Sequence, residues 1–198
     1  SRGLGDVYKR QLPQCASVCS PQEEEVLERT YAEIEQELFN RMEGAPIDQH
    51  IVLFLDGWES LIDNNMEVEE KTRHLVREGL SYNIHVVISA SRWNNLRANI
   101  RDSLTTRWEL RLGDTGDSIA GRKNAEQVPA LPGRGMTAGG LHFLFALQDE
   151  DGLRAIAQQW SQEEPVKPLL LLPRSVSTTQ LGPCLLYTSD AADDSLRV

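Results

Sequence analysis

Between Ser20 and Met42 the apolar residues return at helical spacing. Val26, Leu27, Tyr31, Ile34, Leu38 and Phe39 form one stripe, and the opposite face is densely acidic. Ser20 ahead of Pro21, with Glu23 three residues on, carries the start signals of a helix whose first helical residue is Pro21. Gly44 and Pro46 end it. The pattern then changes. Ile51-Val52-Leu53-Phe54-Leu55 is apolar without alternation, which predicts a strand buried on both faces of a parallel sheet. A polar loop at Asp63-Asn64-Asn65 precedes a helix from about Val68 to Glu78, closed by Gly79 as a C-cap. Ile84 to Ala90 is a second buried strand, and the strand–helix–strand spacing fits a right-handed parallel crossover. A helix near Asn94 to Asp102 leads to a third strand, Thr105 to Leu112. A Gly/Asp-rich turn at 113–118 opens a short helix, and Pro129 to Gly140 reads as a loop. Leu141 to Leu147 is a fourth strand and Asp149 to Trp160 an amphipathic helix. Glu163 to Pro168 reads as linker, and Leu169 to Pro173 as an edge strand or interdomain tie. The sum is a three-layer α/β domain with a mostly parallel sheet.

The two ends change the boundaries. Asp6 to Gln11 can be encoded by one short DNA whose opposite strand encodes Cys184 to Ser189. Both ends therefore read as a translated sequencing adapter, residues 1–11 and 184–198, and stay outside the fold reasoning. The core from Leu12 to Pro183, about 170 residues, is the size of one domain. It divides into residues 12–162, the domain proper, and 163–183, a linker toward whatever follows. The chain carries a formal net charge of −10, the two ends cancelling, and shows no basic stripe to grip phosphates. Tight DNA binding is thereby disfavoured. Cys15 and Cys19 lack the partners of a zinc site and read as free thiols of a reducing cytosol. No apolar run reaches the length of a membrane span.

Candidate chemistry begins at Asp56. It follows the first buried strand at the C-terminal sheet edge, where ligands bind in open α/β sheets. In P-loop NTPases an Asp so placed holds Mg²⁺ through water; the plain alternative is a carboxylate capping the next turn. A wider set of motifs then falls in order: Leu55-Asp56-Gly57-Trp58, Gly79-Leu80-Ser81-Tyr82-Asn83-Ile84-His85-Val86-Val87, Ser91-Arg92-Trp93, Ile100-Arg101-Asp102, Glu109-Leu110-Arg111-Leu112-Gly113-Asp114, and Pro132-Gly133-Arg134-Gly135-Met136-Thr137. This combination resembles the FtsK/SpoIIIE-type ATPase modules of EccC, the motor of the type VII (ESX) secretion system, and among its tandem modules most resembles the second.

The resemblance implies a RecA-like P-loop NTPase fold with its N-terminal P-loop part missing, since no GxxxxGK[ST] run occurs in the chain. It implies ATP and Mg²⁺ as cofactors of the parent protein, bound weakly or not at all by this piece. Asp56 matches the Mg²⁺-linked Asp. Active relatives follow that Asp with a Glu that polarises the attacking water; here Gly57 stands there, so slow or absent hydrolysis is implied. Glu59 would have to swing back to substitute. Ser91 matches a polar residue sensing the γ-phosphate, or equally caps the next helix. Gly133, Arg134 and Gly135 match a loop beside the nucleotide base, or form an ordinary turn. Arg92, Arg97, Arg101 and Arg107 are candidates for an arginine finger, Arg101 first, whereas Arg107 and Arg111 alternate along a strand and fit solvent or a salt bridge better. The tryptophans read as core or interface anchors, and His85 and His142 as satisfied histidines. Implied partners are neighbouring modules of the same chain in a hexamer and secreted protein substrates, at the cytoplasmic face of the plasma membrane. A DNA translocase module and a catalytically inactive scaffold or substrate-docking domain are the alternatives.

Overall fold

The computed structural model describes residues 9–10, 12–146 and 149–171. The segments read as adapter translation lie outside these apart from Lys9 and Arg10, as do Leu147, Leu172 and Pro173. The first helix, α1, spans Glu24–Met42 and so starts later than Pro21. The Ser20–Glu23 signal is used one turn earlier: the Ser20 amide donates to the Glu23 carboxylate at 2.7 Å, and the Glu23 amide returns to the Ser20 carbonyl at 3.0 Å. That closes a turn leading into the helix. Leu27, Tyr31 and Leu38 bury the apolar stripe.

Strands β1 (Ile51–Leu55) and β2 (Ile84–Ile88) pair in parallel, Ile51 opposite Ile84 and Leu55 opposite Ile88. Between them lie α2 (Trp58–Asn64), where a polar loop is predicted, and α3 (Glu67–Glu78). The apolar Trp58 and Leu61 of α2 face the core, and this tertiary contact holds as helix a segment whose polar end reads as loop. Gly79 is not a left-handed cap: the chain continues through a 3₁₀ turn, Gly79–Tyr82, and the left-handed residue is Asn83 (φ 57°). The Asn83 side-chain amide donates to the Ile47 carbonyl at 2.7 Å. Gly79 is small for packing instead, since a Cβ there would meet the Ile84 carbonyl at 3.0 Å.

The core gathers Leu27, Tyr31 and Leu38 of α1, Leu53, Leu55 and Ile84 of the strands, Trp58 and Leu61 of α2, and Val68 and Leu75 of α3. Two polar ties fix α1 against it. The Tyr31 and Thr72 hydroxyls share a buried hydrogen bond of 2.7 Å, and burial pushes the Tyr31 phenol up to about 12. Arg41, itself buried, meets Glu37 at 2.7 Å and donates to the Gln49 and Tyr82 carbonyls. All of this packing is on one sheet face. The other face bears Val52, Phe54 and Val87, which are 47%, 72% and 40% exposed. The expectation of burial on both faces therefore fails within the described residues, because every helix in the core cluster sits on the Leu53–Leu55 side. Phe54→Asp in this chain is expected to leave the unfolding free energy, measured by urea titration, within about 0.5 kcal/mol of wild type. It should also lower light scattering at high concentration, because it interrupts an exposed apolar patch.

The second half departs further from a parallel sheet. After a 3₁₀ turn (Trp93–Asn95) and the short α4 (Ala98–Arg101) come β3 (Trp108–Leu110), a 3₁₀ turn (Thr115–Asp117) and α5 (Arg122–Ala125). Strands β4 (Arg134–Thr137) and β5 (His142–Leu144) then pair with β3 in an antiparallel sheet of order β3-β4-β5. The segment read as a Pro/Gly loop thus contains the central strand. The last helix, α6, spans Glu150–Gln159 and is capped by Asp149, whose carboxylate accepts from the Gly152 amide at 2.5 Å. Beyond it, the Val166 and Leu169 amides donate to the Pro13 and Ala16 carbonyls at 2.9 and 3.1 Å. The segment through Leu171 is a tie back to the N-terminal stretch and forms no strand.

Candidate functional site

Parallel pairing brings the C-terminal ends of β1 and β2 together, and the polar residues just beyond them form two hydrogen-bonded sets. Asp56 leaves β1 exposed, and its Oδ1 accepts from the Ser89 hydroxyl at 2.5 Å. Ser89 Oγ in turn accepts from the Gly57 amide at 2.9 Å, and the Ser89 carbonyl accepts from the Trp58 amide, also at 2.9 Å. Gly57 is left-handed (φ 75°, ψ 59°) and begins α2, a backbone turn that any other L-residue enters at a cost of about 1–2 kcal/mol. Ser91 follows β2. Its amide and hydroxyl both donate to Glu59 Oε1, at 2.8 and 2.7 Å, and the Asn95 side-chain amide donates to the same oxygen at 2.6 Å.

Partial burial pushes the Glu59 carboxyl up, but the bonds from Asn95 and Ser91, with that of its own backbone, outweigh it and hold the group down at about 2. Glu59 thus contributes stability that is fully present above the ordinary range near 4.5 and is lost as the pH falls toward 2. Unfolding free energy followed from pH 6 to pH 2 is expected to fall more steeply for wild type than for Glu59→Gln, which carries no titrating group there.

The structure ties Asp56 to Ser89 and Ser91 to Glu59 at the neighbouring ends of β1 and β2. It does not bring in the loop at Gly133, Arg134 and Gly135: no hydrogen bond or ion pair among the described residues joins it to Asp56 or Ser91. Gly133 is left-handed (φ 76°) at the entrance to β4. Gly135 lies inside β4, where a Cβ would stand 2.3 Å from the Glu109 carbonyl and 2.5 Å from the Phe143 ring. Its smallness is explained by sheet packing. Arg134 is half-buried. Arg101 is also partly buried, with its Nε 3.5 Å from Asp102 and its carbonyl holding the Arg107 guanidinium at 2.9 Å. Arg107 is partly buried, Arg111 is exposed as expected, and each guanidinium meets backbone carbonyls. Arg107 also donates to the Leu104 carbonyl at 3.1 Å, and Arg111 to the Val128 carbonyl at 2.6 Å. Arg97 pairs with Glu69 at 2.7 Å, and Arg92 lies 3.9 Å from Asp117. A cleft of about 300 Å³ opens beside Ser91, lined by Arg92, Trp93, Leu112, Gly113, Asp114 and Asp117.

Glu109 is the residue that sequence reasoning missed. It is buried, and its carboxyl accepts from the Trp93 indole N–H (2.6 Å), the Ser118 hydroxyl (2.7 Å) and the Ile119 amide (2.6 Å). It therefore fixes both walls of the cleft. Trp58 is a core residue as expected, while Trp108 forms an exposed aromatic cluster with Phe143 and Phe145.

Residues 7–151 match the model of the FtsK/SpoIIIE family. The chain belongs to that family. The chain is 41% identical over 128 residues to the ESX-4 secretion system protein EccC4 of Mycobacterium tuberculosis, covering 64% of this chain and 10% of that protein. It is 36% identical over 146 residues to the ESX secretion system protein EccC of Thermomonospora curvata, covering 66% of this chain and 11% of that one. The solved structure of T. curvata EccC ATPases 2 and 3, in complex with a signal sequence peptide, superposes with a TM-score of 0.74 at 30% identity. It covers 92% of this chain and 40% of that one. The chain thus spans about a tenth of the length of these curated relatives. Its fold is the α/β P-loop NTPase fold of the EccC ATPase domains.

In this FtsK/SpoIIIE-family chain, Asp56 fits a carboxylate that reaches Mg²⁺ through water. It is exposed at the strand end, and its second oxygen accepts no bond among the described residues. No group of three or more His, Cys, Asp or Glu that could hold a metal directly occurs among the described residues. No described helix is long and apolar enough to cross a membrane.

Proposed function

We propose that the chain is part of an ATP-binding module of a type VII secretion motor that turns ATP over slowly or not at all. The observation that carries this is Asp56 just past the C-terminal end of the parallel strand β1, followed by a left-handed glycine where active relatives place a base. Mg²⁺ supplies charge neutralisation at the β- and γ-phosphates when bound. Asp56 would hold that ion through water, Ser89 donates to Asp56 and fixes its rotamer, and Gly57 offers no group to activate a nucleophile. Residues 12–162 are then the C-terminal part of the module and 163–183 the linker to a following one, with the phosphate-cradling loop in the N-terminal part of the same module. Gly133, Arg134 and Arg101 keep their proposed roles, beside the base and toward a neighbouring module respectively. The acidic charge sets DNA aside as cargo. The signal-peptide complex of the T. curvata relative supports secreted proteins as substrates of the parent protein. Neighbouring modules, a hexamer and the cytoplasmic membrane face complete the reading.

The test is Mg²⁺-dependent ATP binding by the full-length protein, recovered by reading the coding sequence around Leu12 to Pro183. Asp56→Asn is expected to weaken Mg·ATP binding at this module about tenfold, while metal-free ATP binding changes little. Equal affinity of wild type and variant for Mg·ATP would overturn it.

A further inference from the structure

The loop after β2 is held from two sides. Glu59, near the start of α2, turns away from Asp56 and places Oε1 against the Ser91 amide, the Ser91 hydroxyl and the Asn95 amide group, at 2.8, 2.7 and 2.6 Å. Asn95 also donates to Ser91 Oγ at 3.1 Å, which engages that oxygen as an acceptor too. Across the loop, Glu109 takes the indole N–H of Trp93 at 2.6 Å. Residues 91, 93 and 95 are thus tied to two carboxyl groups from separate elements. A serine hydroxyl has one hydrogen to donate. At Ser91 it is committed to the Glu59 oxygen, so a phosphate oxygen approaching Ser91 would compete with that carboxylate for the donor. Two like charges sharing one donor set are mutually unfavourable.

We propose that Glu59 is an autoinhibitory clamp, withholding the Ser91 hydroxyl from the terminal phosphate of a bound nucleotide until the Glu59–Ser91 contact opens. This rests on the nucleotide-module reading above. It adds to Gly57 a second, independent brake: Gly57 removes the base, and Glu59 removes the sensor. Glu59 itself touches no substrate in this arrangement and acts through Ser91.

The experiment compares wild type, Glu59→Ala and the Glu59→Ala/Ser91→Ala double variant of the full-length protein. Fluorescence titration with ATP and with ADP is combined with amide hydrogen exchange at Ser91, and circular dichroism checks that each variant is folded. Glu59→Ala removes the oxygen that the Ser91 amide and hydroxyl share. It is expected to speed Ser91 exchange and to tighten ATP about five- to tenfold, the worth of one hydrogen bond to a charged group, with ADP unchanged. The double variant is expected to lose that gain. The clamp is overturned if the double variant keeps the gain, or if Glu59→Ala tightens ATP and ADP alike or neither. If Ser91 exchange speeds up but this module binds no nucleotide in any variant, the module reading falls and the clamp with it.

Discussion

Replacing Glu109 by Ala is expected to destabilise the chain by about 3–5 kcal/mol, enough to shift the urea midpoint of a marginally stable domain by a large fraction of its value. The carboxyl accepts three hydrogen bonds inside the fold, from Trp93, Ser118 and Ile119. Truncation leaves those donors facing a cavity, at about 1–3 kcal/mol for each one that finds no water, less the desolvation that the removed carboxyl no longer suffers. Glu109→Gln should recover part of the loss, because its amide oxygen can still accept from Trp93 and Ile119, whereas its NH₂ group meets the Ser118 hydroxyl as a donor facing a donor that must rotate. Urea unfolding of the three proteins checks the order wild type, Gln, Ala. Equal stability of Ala and Gln would mean that the bonds contribute nothing net. Loss of the Trp93 tie should also show as a red-shifted, more quenchable fluorescence component before global unfolding.

Gly135→Ala is the second large effect, expected at about 3 kcal/mol or more. The methyl group would stand 2.3 Å from the Glu109 carbonyl oxygen and 2.5 Å from the Phe143 ring edge. The ring can swing, but the carbonyl belongs to the paired strand β3, so relief requires parting of the Leu110–Gly135 register. Gly139→Ala is the matched control: its nearest neighbour would be the Thr137 hydroxyl at 3.8 Å. There the reduced freedom of the unfolded chain should leave stability unchanged or raised by up to about 1 kcal/mol. If both glycines respond alike, the packing account of Gly135 is wrong, and a role for its smallness at a ligand regains ground.

How far the sequence carried the fold depended on where the information lay. The crossover β1–α3–β2 was legible because it is local: two mostly apolar runs, the second interrupted only by His85, a helical period between them, and an Asp at the strand end. Asp56 and Ser91 could each be placed just past a strand end for the same reason. Burial on the far face of β1 was not legible, because apolar residues state what should be covered without stating by what. Strand β4 hides in a Pro/Gly stretch, since a four-residue strand gains its conformation from partners on both sides, with hardly any local propensity. At β3 the binary pattern pointed the wrong way. Trp108, Leu110 and Leu112 alternate with Glu109 and Arg111, which reads as apolar inward; Glu109 is the buried residue, and Trp108 and Leu110 are about half exposed. Three hydrogen-bond donors from distant positions reverse the rule, and none of them is visible in the strand itself. Glu59 follows the same logic: the loop after β2 offers it three hydrogen bonds that its own stretch of sequence does not reveal.

Gly57 has a bearing on how the proposed loss of hydrolysis could be undone over generations. A glycine codon lies one base from a glutamate codon, so mutation could return the missing carboxylate readily. The backbone at this position has turned to φ 75°, and nothing within 4 Å would oppose a side chain. The obstacle is the turn alone, about 1–2 kcal/mol of strain, and a side chain leaving that turn is aimed differently from one on an extended strand end. Reversion would need the base change and a second change that rebuilds the turn, neither useful without the other. A lineage that has taken this step is held there by geometry more firmly than by its genetic distance.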